Sequence, residues 1–364
     1  MRKFFQWLLL RPVIWASKKF SSKPEQGRIF KALSKLYSHI SHKPGKKGPV
    51  IPFEQLTGKF IIFSDQHKGA RDGADDFTTA EPNYLAALEY YNAGNFFFIS
   101  LGDNEELWEN TLAQVKKYNT GTFEAEKKFI ARKAFVKIFG NHDLYWQNDP
   151  FAAIQLKMIY GEEVKIYEGI VLTVLVGDQK LNIFCTHGHQ GDAQSDGNWF
   201  SKFFVARIWG PLQGYLRINP NTPAYDNEEK TLHNEIMYKW SALHNDLLLI
   251  TGHTHQPVFE SLTLLERLYR QMQVAKRDND SKTLDELQKE IRKREKEFSA
   301  VSMDYLVMKP SYFNSGCCCF SDGDITGIEI ENGYIRLIKW KTENAKPVRT
   351  VLEEISLSEL VKAL

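Results

Sequence analysis

The run NFFFISLGD at 95–103 decides the fold. Apolar residues rich in Phe and Ile fill a strand-length stretch, which then breaks at Gly102 into the carboxylate of Asp103, as a strand buried on both faces would end. The same arrangement recurs at 59–65 (KFIIFSD), 135–143 (FVKIFGNHD), 180–189 (KLNIFCTHGH) and 246–255 (DLLLITGHTH). Each run ends in Asp, Asn or His. Helical spacing over 83–93 and 105–118 separates the first strands, giving the β-α-β alternation of a layered α/β fold. Ligand chemistry in such folds gathers at the carboxyl ends of the strands, so five strand ends carrying polar side chains predict one shared site.

The side chains at those ends are metal-binding types. Asp65-Gln66-His67 places a carboxylate and an imidazole at i and i+2, where an extended chain turns both to one face. Gly102-Asp103-Asn104-Glu105 follows, with a glycine that permits a sharp turn and close backbone approach. Asp103 has two oxygens and could give one to each of two ions. Gly140-Asn141-His142-Asp143 offers an amide oxygen and an imidazole, Thr186-His187-Gly188-His189 two more rings, and Gly252-His253-Thr254-His255 repeats the i, i+2 pattern. Any one of these histidines would more often be a surface or satisfied core residue. Six of the chain's ten histidines nevertheless fall in these motifs, which chance does not explain.

In this order the motifs resemble the calcineurin-like metallophosphoesterase family, whose pattern is D-x-H, G-D-x-x-[ED], G-N-H-[DE], a His after a strand, and G-H-x-H. The resemblance covers about residues 59–258. It implies a four-layer αββα two-sheet sandwich with two divalent metal ions (Mn, Fe or Zn) at one end of the sheets. It also implies that one ion is held by Asp65, His67, Asp103 and His255, and the other by Asp103, Asn141, His187 and His253. His189 could exchange roles with His187. His142 matches the family residue that contacts the phosphate and can protonate the leaving oxygen, with Asp143 orienting its ring. A hydroxide shared by the two metals would then be the nucleophile. Residues 199–217 (WFSKFFVARIWGPLQGYLR) add an aromatic insertion similar to that of the UDP-2,3-diacylglucosamine pyrophosphatases of the family. Those enzymes commonly carry Arg where this chain has His142.

Outside the motifs, charge is unevenly distributed. Residues 1–49 hold twelve of the 47 Lys and Arg but one of the 45 acids, so they carry about +11 and the remainder about −9. With Phe4, Phe5, Trp7 and Trp15 among the bases, this arm predicts contact with an anionic membrane surface through residues 1–40; packing on the body through its apolar face is the rival reading. The apolar run is broken by Arg11 and Pro12 and falls short of the ~20 residues that a spanning helix needs. A secretory signal would lack its small-residue exit. Four cysteines, three of them adjacent at 317–319, do not make a disulfide framework. A reducing cytoplasm is expected, with peripheral attachment to the inner face of the membrane, and the cysteine triplet is expected to be buried and inert.

The predicted organisation is a basic arm and Pro/Gly/Lys linker over 1–49, a phosphoesterase domain over 50–345 and a tail over 346–364. The domain contains a helical hairpin inserted at 260–300. The predicted function is hydrolysis of a phosphodiester or pyrophosphate, with a lipid-linked substrate favoured. A nuclease or nucleotide phosphodiesterase is one alternative, with nucleic acid as the partner of the lysines. A membrane-associated scaffold with a structural metal site is the other.

Overall fold

A computed structural model describes residues 24–72, 75–191, 227–294 and 308–364, together with Leu8. The aromatic insertion at 199–217 and the apolar start of the basic arm, Leu8 apart, lie outside the described residues. In chain order the elements begin α1 (Gln26–His42), β1 (Val50–Phe53), β2 (Phe60–Phe63), α2 (Phe77–Ala93), β3 (Phe97–Leu101), α3 (Leu112–Tyr118), α4 (Thr120–Ala131) and β4 (Phe135–Ile138). They continue α5 (Tyr145–Asn148), α6 (Ala152–Tyr160), β5 (Ile166–Tyr167), β6 (Gly169–Val176), β7 (Gln179–Thr186), α7 (Asn227–Ser241) and β8 (Leu247–Thr251). Then come β9 (Val258–Phe259), β10 (Leu262–Thr263), α8 (Leu264–Arg277), α9 (Ser281–Arg294), β11 (Tyr312–Asn314), β12 (Ile325–Glu331), β13 (Tyr334–Glu343), β14 (Lys346–Ser356) and α10 (Leu357–Ala363).

The strands form two seven-stranded sheets, in the orders β1-β6-β7-β8-β11-β9-β10 and β14-β13-β12-β2-β3-β4-β5. Residue alternation explains why the strands read as continuous apolar runs. In β2, Phe60 and Ile62 enter the core between the sheets, whereas Ile61 and Phe63 pack outward against Phe77, Tyr84 and Leu88 of α2. In β8, Leu248 and Ile250 face the other sheet, while Leu247 and Leu249 face Ile236 and Trp240 of α7. Both faces of these two strands are covered, so both positions favour apolar side chains. The result is the αββα sandwich expected from the sequence.

Two boundaries differ from the sequence reading. Helix α1 belongs to the domain: Ile29, Leu33, Leu36 and Ile40 are buried against Val171, Phe184 and Trp240. That spacing of four and three residues makes one helical stripe, and burying each side chain contributes about 1.5–3 kcal/mol. The Pro/Gly/Lys segment is likewise a structured turn, with Gly45 N–H donating to Gly48 O at 2.7 Å and Lys47 paired with Glu168 at 2.8 Å. It leads into β1, which pairs parallel with β6. Pro52 is accommodated because β1 is an edge strand.

Residues 346–364 are not a tail. Strand β14 pairs with β13 along its length, and α10 sends Leu357 and Leu360 into the core between the sheets. The β12–β13 turn, Asn332-Gly333, has φ of 55° and 77°, as an Asn-Gly hairpin requires. The β13–β14 turn is Asn344-Ala345, with φ of 50° and 61°, and its alanine hides the hairpin from a sequence reading. Left-handed backbone costs an L-residue ~1–2 kcal/mol, partly offset by the extra unfolded-state entropy of glycine. Ala345→Gly is therefore expected to stabilise the protein by about 0.5–1 kcal/mol, read as a raised denaturation midpoint.

Helices α8 and α9 form a hairpin around Asp278–Asp280 with a small core of Leu265, Leu268 and Ile291. Buried Arg267 ties it to β14, donating to Glu353 at 3.0 Å. Among the described residues no helix is long and apolar enough to cross a membrane.

Candidate metal centre

The sandwich brings the five motifs together through strand order. β2, β3 and β4 are parallel neighbours in one sheet, and β7 and β8 are parallel neighbours in the other. Their carboxyl ends, followed by Asp65, Asp103, Asn141, His187 and His253, face one another across the end of the sandwich. Backbone bonds stitch the loops: Asp65 N–H donates to Gly102 O at 3.0 Å, His67 N–H to Asp103 O at 2.9 Å and Gly252 N–H to His187 O at 3.0 Å. A Cβ on Gly140 would sit 2.1 Å from Asp103 Oδ1, and one on Gly102 2.6 Å from the His187 ring, so both positions need glycine for close approach.

Asp65, His67, Asp103, His253 and His255 all have positive φ, between 49° and 71°. Non-glycine residues seldom adopt this backbone conformation, and when they cluster in it they mark functional sites. His67 Nε2 lies 3.2 Å from His255 Nε2, and His255 Nε2 lies 3.3 Å from Asp65 Oδ1. His187 Nε2 lies 3.2 Å from Asp103 Oδ2 and 3.3 Å from Asn141 Oδ1. The donor atoms of Asp103, His187 and His253 fall within 4.8 Å of one another; the His189 ring lies 5.4 Å from that of His187, centroid to centroid, and is not in that group. Asp103 stands between the two groups, but through one oxygen. Oδ2 faces His187 and, at 3.8 Å, His67, while Oδ1 accepts the His142 N–H at 2.8 Å.

These residues fit a pair of divalent cations. Asp65 and Asp103 are buried carboxylates, and His253 Nε2 is a buried nitrogen with no hydrogen-bond partner among the described residues, an expensive state unless something binds it. Mixed nitrogen and oxygen donors suit borderline divalent ions. Burial and the neighbouring His233 hold His253 well below the usual imidazole range, so it is a neutral donor. For Asp103, burial favours the neutral acid, but His187 and His142 outweigh it and hold the group ionised.

The site also contains residues that the sequence reading missed. Glu106 accepts from Nδ1 of both His67, at 2.9 Å, and His142, at 2.7 Å. Burial raises its pKa, but His142 and His67 bring it down to about 2. Glu106 therefore orients the His142 ring in the place expected for Asp143. Asp143 instead holds the loops, accepting from Gly140 N–H and, at 2.9 Å, from Asn104 N–H. Trp108 stacks on His142, with centroids 4.1 Å apart and planes 18° from parallel. Burial would lower His142, but Glu106 and Asp103 raise it to about 9.

Behind the loops lies a buried ionic network. Lys68 Nζ reaches Glu126 at 2.6 Å and Glu105 at 3.1 Å, and Lys137 Nζ reaches Glu105 at 2.8 Å, all four side chains without exposure. Trp146 donates to Glu105 and Tyr160 to Glu126, at 2.8 and 2.6 Å.

The calcineurin-like phosphoesterase family matches over residues 58–257. The chain belongs to that family. As a calcineurin-like phosphoesterase it is a metal-dependent hydrolase by class. Similar solved structures include vacuolar protein sorting 29 from Cryptosporidium parvum, 12% identical, covering 83% of this chain and 99% of that one at a TM-score of 0.35. Another is a single mutant of Vps29 from Entamoeba histolytica, 14% identical, covering 81% and 99% at 0.30. No curated protein matches the chain.

Proposed function

We propose that this phosphoesterase hydrolyses a phosphodiester or pyrophosphate whose leaving or retained part is apolar, such as a lipid-linked substrate. The observation that carries the hydrolytic reading is His142, clamped by Glu106 at Nδ1 and by Trp108 on its face beside the Asp103 cluster. When bound, two divalent cations supply a water-derived nucleophile near neutral pH and neutralise phosphoryl charge. They would be held by Asp65, His67, Asp103 and His255 on one side and by Asp103, Asn141, His187 and His253 on the other. Glu106 fixes the His142 ring and favours its protonated form, so a leaving oxygen would take its proton from the far nitrogen of that ring. Asp143 keeps the Gly140 and Asn104 backbone in place for both.

The apolar substrate is supported by helix α6, which begins nine residues after Asp143. Phe151, Ile154 and Met158 are 61%, 57% and 65% exposed and lie along one face. An exposed apolar stripe of this kind marks an interaction surface. Together with the basic residues of 1–40 it favours attachment to the inner face of an anionic cytoplasmic membrane over a nucleic-acid partner. Hydrolysis of a chromogenic phosphodiester by chelator-stripped protein resupplied with Mn²⁺ tests the reaction class. Competition between a lipid pyrophosphate and single-stranded DNA then tests the substrate class, and tighter, salt-sensitive binding of DNA would replace the lipid reading.

His142→Ala is expected to lower kcat by about 10²–10⁴-fold, the range for a general acid, with a smaller change in KM. Glu106→Gln removes the chief interaction that raises His142. Activity that needs protonated His142 falls as pH rises through its pKa, so the basic limb of the kcat profile should move to lower pH in Glu106→Gln. The measurement is the shift between the two profiles, since bound cations pull both limbs the same way.

A further inference from the structure

His67, His187 and His255 turn Nε2 toward the Asp65 and Asp103 carboxylates, and each has a polar neighbour at Nδ1. The acceptor for His67 is Glu106 at 2.9 Å, and for His187 it is the Leu101 carbonyl at 3.0 Å. For His255 it is the sulfur of Cys319, 3.8 Å from Nδ1. An imidazole that binds a cation through Nε2 carries its proton on Nδ1, and the partner of that N–H fixes the orientation of the ring. Carboxylate and carbonyl oxygens are the common partners. A thiol sulfur is a weak acceptor.

The neighbouring cysteines reach the same half of the centre. The side chain of Cys317 meets both Cys319 and the His255 ring, and Cys318 N–H donates to the Asp65 carbonyl at 3.1 Å. All three cysteines are buried, and they occupy the loop after β11, not a strand. The expectation of inert packing residues is therefore too narrow. One tripeptide touches two residues of the same half of the centre, Asp65 and His255.

We propose that the Cys317–Cys319 loop is a positioning element for that half, with the Cys319 sulfur orienting His255 and setting how tightly its cation is held. The inference rests on His255 being a metal ligand. Because sulfur accepts more weakly than oxygen, the ion beside His255 should be the looser of the two, and the centre should fill in two steps.

The test is titration of Mn²⁺ and of Zn²⁺ into chelator-stripped full-length protein, against a competing chromophoric chelator. Cys319→Ala is expected to weaken one of the two binding steps by about 10–100-fold, as loss of a ligand's hydrogen-bond partner does, and to leave the other unchanged. Cys319→Ser retains an acceptor and should restore most of that step, which a purely packing role for Cys319 would not predict. Two unchanged steps in Cys319→Ala would overturn the positioning role, as would equal losses in the Ala and Ser variants. Two ions still bound by His255→Ala would instead remove the ligand reading, and the proposal with it.

Discussion

Asp103→Asn is expected to reduce phosphodiester hydrolysis by more than about a hundredfold, because loss of a partner that merely orients a ligand already costs 10–100-fold. The substitution is nearly isosteric, and an amide oxygen can still accept the His142 N–H. What it removes is the negative charge of Oδ2, which faces His187 at 3.2 Å and His67 at 3.8 Å. That oxygen lies near a donor of each group. Stoichiometry should fall below two ions per chain together with activity, while the melting temperature of the chelator-treated protein stays close to that of the parent. Full activity with two ions bound would show that Asp103 does not join the two halves, and the ligand assignment would have to be redrawn around Asp65, which lies 3.3 Å from His255 and 3.9 Å from His187.

The second large effect is on stability and arises behind the site. Lys68 and Lys137 share Glu105, with Glu126 as the other acid, in a network of two bases and two acids without exposure. Glu105→Gln leaves two buried ammonium groups facing one carboxylate, and breaking a buried pair in this way costs about 3–5 kcal/mol. Denaturant unfolding should show a loss of that size. Adding Lys137→Met should recover much of it by removing the stranded charge. A loss below about 1 kcal/mol, the range of a screened surface pair, would mean that the lysines are not buried as charged groups. Metal affinity should suffer too, since Lys68 follows His67 directly and Glu105 follows Asp103 by two residues.

Acid denaturation follows from the same network. Burial raises the pKa of Glu105, but Lys137 and Lys68 overcome it and lower it from the ordinary 4.5 to about 2. A depressed carboxylate contributes its stability fully above the unfolded value and loses it as pH falls toward the folded one. The protein should therefore lose stability between about pH 4.5 and 2, and part of that slope should disappear in Glu105→Gln.

The ligand-type residues were legible because their chemistry is written in short spacings. Asp65-x-His67, Gly140-Asn141-His142-Asp143 and Gly252-His253-x-His255 each place donors at the end of an apolar run, and both the run and the donors are local properties. The network behind them was not legible. Lys68, Lys137 and Glu126 are residue types almost never fully buried, and nothing in their neighbours along the chain says that they pair with one another. Arg28, Lys31 and Lys35 make helix α1 continuous in charge with the basic arm. The stripe from Ile29 to Ile40 became visible as core only where Val171 and Trp240 cover it.

The sequence by itself determined the five strands that carry the motifs, the α/β class, the motif residues and the kind of atom each would offer, since those follow from side-chain chemistry and from periods of two and 3.6 residues. Only the tertiary structure decided that Glu106 holds His142, that one oxygen of Asp103 is taken by a backbone amide, and that a cysteine stands behind His255. Those contacts join residues up to 64 positions apart, as between Cys319 and His255. They depend on which strands become neighbours across two sheets, and no local pattern of residues records that.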